Sequence, residues 1–228
     1  MTMRISGEGW SAYSIWEHSS ALRELYRRRA RDETEEMTCA AQAAELLAAI
    51  ARPGETLLDA GCGTGYFYHS LRRRSLDLDY HGIDATRSFV DIGRHELAAF
   101  GLPPERLSHL RIEDFEGAAD HVLCMNVLSN LDNFHRPLER LVKAARRSLV
   151  LRESIKDGAS YTYVRDDYLD PGVDLKVHVN AYDRADILAF IDGYGFSVQE
   201  AADWRSGGRP ELVIGHPHHW TFLIATRR

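Results

Sequence analysis

Glycines occupy alternate positions directly after a short apolar run. Gly61, Gly63 and Gly65 follow the run from Thr56 to Ala60. Glycine permits positive φ angles and lets a ligand approach the backbone closely. A helix that begins after such a turn directs unpaired N–H groups at the ligand. The segment therefore predicts a ligand-binding turn between a strand and a helix.

Two features of this turn discriminate between ligands. A dinucleotide fingerprint requires a third glycine three residues after the second, and that position holds Tyr66. In addition, Asp59 closes the strand two residues before Gly61, where its carboxylate would repel a pyrophosphate. A carboxylate beside the turn suits a ligand that carries a positive amino group and a sulfonium.

The segment from Asp59 to Gly65 resembles motif I of the class I S-adenosylmethionine-dependent methyltransferases. Residues 82–84 resemble the second motif of that family, in which an acid ends the second strand. Residues 113–115 resemble the third motif, and residues 120–128 resemble the fourth-strand motif that lines the cofactor cleft. The resemblance extends from about residue 55 to about residue 150.

This resemblance implies S-adenosyl-L-methionine as the cofactor. It implies that Asp84 binds both ribose hydroxyls, which two acceptor oxygens on one side chain can match. It also implies that Asp114 takes the adenine amino group while Phe115 packs on the ring. A helix cap at Asp84, a solvated acid at Asp114 and a turn residue at Asn126 are the structural alternatives. The implied cofactor-binding set is Asp59, Gly61, Gly63, Gly65, Asp84, Asp114, Phe115 and Asn126.

Methyl transfer is a displacement at carbon with the sulfonium as leaving group, so the protein must mainly align the reacting atoms. A general base is needed only when the nucleophile carries a proton that must leave. The run Arg27-Arg28-Arg29 is typical of a solvated helix face. The alternative is that one of these arginines holds a carboxylate of the cofactor or the substrate.

Candidate acceptor residues come from segments that the resemblance does not assign. His178, Asn180 and Tyr182 share a face in an extended segment, because side chains repeat every two residues. The loop before the last strand carries residues 216–220, with His219 as a further candidate. We expect these catalytic candidates, His178, Asn180, Tyr182 and His219, to surround the acceptor. A surface turn and a histidine metal site are the alternatives, and without an acidic partner no metal site is predicted.

The order of predicted elements fixes the fold class. Helical periodicity comes first, and strands then alternate with helices, which indicates a sheet covered on both faces. We predict a Rossmann-like, doubly wound, mostly parallel α/β sheet with an antiparallel last strand. An N-terminal helical cap would occupy residues 1–54 and the cofactor-binding domain residues 55–228. Residues 153–182 and 203–219 are expected as substrate-side insertions, with an inserted strand before the last helix.

The composition of the chain limits the classes of binding partner that we expect. The chain of 228 residues has a formal net charge of −6, which argues against nucleic acid as the main partner. Its three cysteines suggest neither a disulfide framework nor a zinc site. No apolar run reaches the length of a membrane span, and the N-terminus lacks a signal-peptide pattern. These features favour a cytoplasmic protein without membrane contact.

We therefore predict a methyltransferase that uses S-adenosyl-L-methionine and a small-molecule acceptor, with O, N, S or C as nucleophile. Strand four ends in Asn126-Val127-Leu128, unlike the Asn/Asp-Pro-Pro-aromatic signature of amino-methylating enzymes. The alternatives are a non-catalytic regulatory protein that binds S-adenosylmethionine, a nicotinamide-dependent oxidoreductase, and a different S-adenosylmethionine-dependent transferase.

Overall fold

Two helices precede the first strand and begin the N-terminal cap. The computed structural model describes residues 12–228, so residues 1–11 of the predicted cap lie outside the described residues. Helix α1 (Ser20–Ala30) begins where the Ser19 side chain accepts a hydrogen bond from the Leu22 N–H. Helix α2 (Thr38–Ala48) follows, and its small residues bury one face on the sheet.

The remaining elements alternate as predicted. The helices are α3 (Phe67–Arg73), α4 (Arg87–Glu96), α5 (His135–Ala144) and α6 (Arg184–Gly193). The first strands are β1 (Thr56–Ala60), β2 (Asp79–Asp84), β3 (Leu107–His109), β4 (Ala119–Met125) and β5 (Ala145–Lys156). The later strands are β6 (Tyr163–Arg165), β7 (Lys176–His178), β8 (Tyr182–Asp183), β9 (Phe196–Ala202), β10 (Glu211–Val213), β11 (His216–His218) and β12 (Trp220–Arg227).

The main sheet has the strand order β3-β2-β1-β4-β5-β12-β9, with β8 paired to the end of β5. Neighbours from β3 to β5 run parallel, whereas β12 is antiparallel to both β5 and β9. The predicted fold class is confirmed, including the antiparallel last strand. The strand order reverses beside β1, so the carboxyl ends of β1 and β4 flank a switch point where ligands bind in such sheets.

Side chains of the central strands alternate between two apolar cores. Leu57 packs with α2, α3 and α4, whereas its neighbour Leu58 packs with α5 and α6. The same alternation separates Leu123 from Val122 in β4. Because successive strand residues point to opposite faces, these apolar runs bury both faces of the sheet and leave the loops at its carboxyl edge for function.

A third, smaller apolar cluster covers the carboxyl edge. We call residues 12–19 and 163–179 the roof. In the roof, Ile15 packs against Val173, Leu175, Val177 and Val179. The alternating pattern predicts a strand here, and the structure limits it to β7, which pairs antiparallel with β6. The division of the chain into cap, domain and insertions stays a prediction.

Polar contacts also join the two parts of the roof and join the second part to Ser20, the first residue of α1. The Ser19 hydroxyl donates to the Tyr168 carbonyl (2.5 Å), and Ser20 donates to Asp170 through both its backbone N–H and its hydroxyl.

Within residues 12–228, none of the helices combines the length and apolar character that crossing a membrane requires.

Helix α4 packs directly against the glycine turn through Gly93. A Cβ added at Gly93 would lie 2.2 Å from the Thr64 carbonyl oxygen, a backbone atom. We therefore expect Gly93→Ala to lower the free energy of unfolding by about 1–3 kcal/mol, as overpacking does. Gly193→Ala is the matched control, because a Cβ there meets nothing within 4 Å and alanine favours a helix. Equal urea midpoints for the two variants would contradict this packing.

Candidate functional site

The glycine turn between β1 and α3 leaves no space for side chains. Gly61 and Gly63 have φ angles of +80° and +58°. A Cβ at Gly61 would lie 2.3 Å from Val127 Cγ2, and one at Gly63 would lie 2.6 Å from Tyr26 Cε1. The Ile83 carbonyl accepts hydrogen bonds from the Gly61 and Cys62 N–H groups. The turn is thus pressed between β2, the loop after β4 and the cap.

Asp84 ends β2 and fixes the turn from the side. Its Oδ2 accepts a hydrogen bond from the Gly63 N–H (2.8 Å), and its Oδ1 accepts one from the Thr86 N–H (2.7 Å). Burial raises the pKa of Asp84, and these backbone hydrogen bonds oppose that increase. Each carboxylate oxygen has further lone pairs, so the group can still accept hydrogen bonds from a ligand.

A cavity of about 500 Å³ lies along this carboxyl edge. On the side of β1 to β3, its walls include Gly61, Gly63, Asp84, Phe89, Ile112 and Glu113. On the side of β5 and β12, they include Asn126, Asn130, His218 and Trp220. The roof contributes Trp16, Tyr163, Lys176 and His178. One continuous cavity therefore joins the glycine turn to both predicted insertions.

An aromatic cluster from the cap forms the wall beside the turn. Tyr26 of α1 stacks on Phe89 with ring centroids 4.3 Å apart and meets Tyr66 edge-on at 5.9 Å. The Arg29 guanidinium lies 4.9 Å from the Tyr26 ring centroid and, among residues 12–228, forms no ion pair. Thr64 Oγ1 donates to the Tyr26 carbonyl, so α1 is held against the turn.

Glu153 of β5 holds the opposite wall. This fully buried carboxylate accepts hydrogen bonds from the N–H groups of Val127, Leu128 and Ser129 and from the Ser129 hydroxyl. Burial raises the pKa of Glu153, and the hydrogen bonds from this loop lower it. Because Val127 contacts Gly61, the carboxylate sets the width of the cavity at the glycine turn.

Arg152 supports the neighbouring lining residues. Its Nε donates to Asp203 Oδ2 (2.7 Å), and its Nη1 donates to Asn126 Oδ1. The same guanidinium lies 4.4 Å from the Trp220 ring centroid. Arg152 and Asp203 are both buried, and the close geometry and hydrogen bonds of this ion pair compensate for the free energy lost when the charges leave water. Arg152 thereby orients Asn126 and Trp220 toward the cavity.

The predicted cofactor residues divide into two groups. Gly61, Gly63, Asp84 and Asn126 line the cavity. Asp59 and Gly65 support it from behind, and Asp114 and Phe115 lie outside it. The roles of the lining residues in cofactor binding stay predictions.

Asp59 and Gly65 serve packing. Asp59 is buried and accepts a hydrogen bond from the Tyr80 hydroxyl (2.7 Å). A Cβ at Gly65 would lie 2.9 Å from Leu107 Cδ2, so this glycine lets the turn approach β3. Neither residue lines the cavity, and both support the turn from behind, so their predicted contacts with the cofactor stay predictions.

The residues predicted to contact the adenine lie beside the cavity, and their contacts stay predictions. A 3₁₀ turn at Ile112–Asp114 directs Ile112 and Glu113 into the cavity. Asp114 is half-exposed and lies near Arg111, and Phe115 packs against the core that covers α5. Because of this tight turn, Glu113 lines the cavity instead of Asp114, so the acidic lining position lies one residue earlier than the motif predicts.

The predicted acceptor residues are only partly brought together. His178 lines the cavity and lies 4.5 Å from the Tyr163 ring centroid. Asn180 is buried and donates to the Leu131 carbonyl while accepting from the Thr162 N–H. Tyr182 is also buried, and its hydroxyl donates to the Leu128 carbonyl (2.7 Å). The predicted common face is wrong because β7 ends at His178 and the following side chains hold the loop after β4.

In the histidine loop, His218 lines the cavity and His219 does not. The His219 backbone is tied to β5, since its N–H donates to Ser154 Oγ and its carbonyl accepts from Ile155. His218 and Trp220 are two residues apart and share the inward face of this extended segment. The predicted role of His219 is therefore corrected in favour of its neighbour.

Sequence reasoning also missed Tyr26, Trp16 and Glu113 as lining residues. In an extended segment side chains repeat every two residues, so the sequence places His218 on the same face as Trp220. The sequence therefore contained a signal for His218. No local pattern identifies Tyr26, because its contact with Gly63 joins the cap to a turn that is distant in the chain.

Comparison with known proteins finds similarity to methyltransferases. Residues 58–150 match the family model described as "Methyltransferase domain". The structure of magnesium protoporphyrin IX methyltransferase from Synechocystis PCC 6803 with bound SAM is similar at 16% identity, with a TM-score of 0.63. That alignment covers 98% of this chain and 99% of the other. Residues 58–150 are thus similar to a methyltransferase domain, and the chain shares the Rossmann-like fold of the similar structure.

Further similarities agree with this methyltransferase domain. An amino pentose methyltransferase from Micromonospora echinaspora is 18% identical with a TM-score of 0.58, over 90% of this chain and 95% of that chain. The mitochondrial ubiquinone biosynthesis O-methyltransferase of Saccharomyces cerevisiae is 29% identical over 83 residues, which is 36% of this chain. The match spans 27% of that relative's length.

The Asp84 carboxylate generates the first prediction about the site. We expect Asp84→Ala to lower the affinity for S-adenosylhomocysteine by roughly 10- to 100-fold, because charge-assisted hydrogen bonds are lost. Thermal stability should also fall, since Gly63 and Thr86 lose their acceptor. Asp114→Ala is the control and should change affinity less than about two-fold. Calorimetry that finds the larger loss at Asp114 would contradict the placement.

Asp59 generates a prediction about pH. Burial and the nearby Asp84 raise its pKa from 3.8 to about 7, although the Tyr80 hydrogen bond lowers it. Because the folded carboxyl binds its proton more tightly than the unfolded one, the free energy of unfolding falls as pH rises between these values. Asp59→Asn removes this pH-dependent loss of stability. The free energy of unfolding of the variant minus that of the wild type, measured by urea unfolding, should therefore rise from pH 5 to pH 8.

The exposed Asp91 of α4 offers the control for this comparison. Asp91→Asn should show the same pH dependence of stability as the wild type. If Asp59→Asn also followed the wild-type profile, the buried carboxyl would not be the group that titrates.

Proposed function

We propose that the protein transfers the methyl group of S-adenosylmethionine to a small-molecule acceptor. The observation that carries this proposal is the single cavity that the glycine turn and Asp84 share with His178, His218 and Trp220. A cofactor held at the turn and an acceptor under the roof would meet in one continuous cavity. Such alignment is the main requirement of a methyl transfer.

The chain's residues fit this cofactor. Gly61 and Gly63 line the cavity, so a ligand can lie against the backbone of the turn. The Asp84 carboxylate would hold the ribose hydroxyls, and Glu113 would lie near the adenine. The bound cofactor supplies an electrophilic methyl group on a sulfonium. The aromatic wall of Tyr26 and Phe89 suits a positively charged ligand.

The cavity disfavours a dinucleotide. Among residues 12–228, Lys176 of the roof is the single lysine or arginine that lines it. Of its acidic lining residues, Asp84 at the end of β2 would suit the ribose of either cofactor, whereas Glu113 adds negative charge on the side of the glycine turn, where a pyrophosphate would be bound. These charges support a cationic donor over the nicotinamide alternative.

A small acceptor is supported by the enclosure and by the similar proteins. The roof covers the cavity with Ile15 packed on the inserted segment, so a macromolecule would have to displace it. The similar structures include a magnesium protoporphyrin IX methyltransferase and an amino pentose methyltransferase. The net charge of −6 argues against nucleic acid as the acceptor. Residues 1–54 would act as the cap, and residues 153–182 and 203–219 as the acceptor-side insertions.

We also propose a cytoplasmic location. Cys39, Cys62 and Cys124 are buried and unpaired. Free cysteines of this kind are typical of a reducing compartment. The non-catalytic alternative would share the cofactor site, and turnover alone separates it from an enzyme.

The test of function uses S-adenosylmethionine with a labelled methyl group and a metabolite extract. We expect the wild-type protein to produce a labelled small molecule. At a subsaturating concentration of S-adenosylmethionine, Asp84→Ala should form less of this product by a factor of roughly 10 or more. Calorimetry should detect S-adenosylhomocysteine binding and no NAD binding. Binding without any labelled product would favour the regulatory alternative, and binding of NAD alone would contradict the proposal.

A further inference from the structure

We propose that the acceptor is a small carboxylic acid whose carboxylate binds Lys176 at the mouth of the cavity, while its apolar part lies inside. This proposal rests on the proposed function and specifies its acceptor class. Three features of the site carry it: a lysine without a polar partner, an anchored ribbon that places this lysine beside further hydrogen-bond donors, and the distribution of charge and apolar surface along the cavity.

The first feature is the unpaired charge of Lys176. The chain contains only three lysines, and the side chains of Lys143 and Lys156 each have a polar partner within four residues in the chain. Among residues 12–228, Lys176 forms neither an ion pair nor a hydrogen bond, and its Nζ lies 5.7 Å from the Tyr163 ring centroid. A cation without a counter-charge at the wall of a cavity attracts a ligand of the opposite charge.

A second positive charge lies across the ribbon from Lys176. Strands β6 and β7 pair so that Arg165 stands directly opposite Lys176, and like charges in this position destabilise a strand pair. Asp174 compensates Arg165 through an ion pair (3.4 Å), which leaves Lys176 uncompensated. A ligand carboxylate at Lys176 would offset this repulsion.

The second feature is the set of donors on one face of the ribbon. Tyr163 pairs with His178, and their ring centroids are 4.5 Å apart. Lys176 shares this face with His178, because side chains repeat every two residues, and all three residues line the cavity. Among the described residues, neither ring nitrogen of His178 has a hydrogen-bond partner, and both remain accessible. We call Lys176, His178 and Tyr163 the acid subsite, since each of them can donate a hydrogen bond to a carboxylate.

The ribbon is anchored to the edge of the sheet before any acceptor binds. The Val179 N–H donates to the Thr162 carbonyl (2.9 Å). Asn180 donates through its backbone N–H to the Ser129 carbonyl and through its side chain to the Leu131 carbonyl. These contacts fix the backbone of the acid subsite relative to the loop after β4, and such preorganisation lowers the entropic cost of binding.

The third feature is the distribution of exposure around the subsite. Lys176 and Tyr163 are exposed, so they stand where the cavity opens to solvent, whereas the lining residues Ile15 and Val177 are buried. Burying a carboxylate costs free energy, and a carboxylate at the mouth keeps part of its hydration. The acceptor would therefore place its acid group at the mouth and its apolar part against the buried wall.

The charges that line the cavity agree with this orientation. Asp84 and Glu113 lie on the proposed cofactor side and disfavour an anion there. The one ammonium of Lys176 matches the single charge of a carboxylate, whereas a phosphate monoester carries about −1.5 to −2 at neutral pH. A carboxylate paired with an ammonium is also a weaker nucleophile. The carboxylate is therefore the binding group, and the methyl group goes to another atom of the acceptor.

The first experiment tests the charge of the product. The protein is incubated with S-adenosylmethionine that carries a labelled methyl group and with a metabolite extract, and the products are separated by anion exchange. We expect a labelled product that is retained at about pH 7 and released at about pH 2, where a carboxyl group is protonated. A labelled product that is neutral or cationic at the higher pH, or still anionic at the lower pH, would overturn the proposal.

The second experiment uses the purified acid as substrate. Lys176→Met keeps a side chain of similar length without its charge, and it should raise the KM for the acid roughly 10-fold with a smaller effect on kcat. Lys176→Arg keeps the charge and should restore the KM to within about three-fold of the wild type. An unchanged KM in Lys176→Met would overturn the role of Lys176.

Arg165→Met is the matched control for Lys176→Met. Arg165 lies opposite Lys176 on the same ribbon, pairs with Asp174 and does not line the cavity. This variant should keep the KM within about two-fold, and all variants should retain the wild-type affinity for S-adenosylhomocysteine. An equal rise of the KM in Arg165→Met would show a general effect of surface charge and would also overturn the proposal.

A third experiment decides the proposal even if no product forms. The protein with ¹³C-labelled lysines, with S-adenosylhomocysteine present, is titrated with benzoate, benzamide or phenyl phosphate. The Cε–Hε signal of Lys176 is identified by its loss in Lys176→Met, and Lys143 and Lys156 serve as internal references. We expect benzoate to shift the Lys176 signal, benzamide to shift it much less, and phenyl phosphate to bind no more tightly than benzoate.

The outcomes separate this proposal from the proposed function. The absence of a Lys176 shift with benzoate, an equal shift with benzamide, or tighter binding of phenyl phosphate would overturn the acid subsite. A Lys176 shift with benzoate in a protein that does not bind S-adenosylhomocysteine would support the subsite and contradict the proposed function instead.

Discussion

The close approach of three segments to the glycine turn is the constraint on which the site depends. Val127 and Tyr26 lie where a Cβ on the turn would have to be, and the backbone of Thr64 in the turn lies where a Cβ on Gly93 of α4 would have to be. The turn consequently brings together the end of β1, the loop after β4, the cap and α4. A cavity forms because the same segments that meet at the turn diverge above it. Any change that widens the turn therefore alters the cofactor side and the acceptor side together.

Buried carboxylates hold this arrangement. Asp84 fixes the turn, Glu153 fixes the loop after β4, and Asp203 fixes Arg152 beneath Trp220. Burying a charge costs free energy unless it is hydrogen-bonded, and each of these groups accepts from backbone N–H groups or a guanidinium. Among residues 12–228, Asp59 accepts a hydrogen bond from the Tyr80 hydroxyl alone, and its pKa is raised to about 7. Buried carboxylates thus position the residues at the carboxyl edge of the sheet, at a cost in stability.

The sheet and the turn were predictable from sequence because both depend on local patterns. The apolar run before Gly61 and the acid at Asp84 identify strand ends directly, and the alternating helices imply the parallel order. The lining of the cavity was less predictable, because a 3₁₀ turn replaces Asp114 with Glu113 and the end of β7 turns Asn180 inward. The contact of Tyr26 with the turn depends on how α1 packs, which no spacing in the chain encodes.

The central claim is that one cavity holds the donor at the turn and the acceptor beneath the roof. A crystal structure of the complex with S-adenosylhomocysteine tests it most directly. The account predicts ribose hydroxyls within hydrogen-bond distance of the Asp84 carboxylate, about 2.5–3.0 Å between oxygens, and the sulfur facing the side that holds His218 and Trp220. A ligand bound outside this cavity, or one whose sulfur faces away from that side, would contradict it.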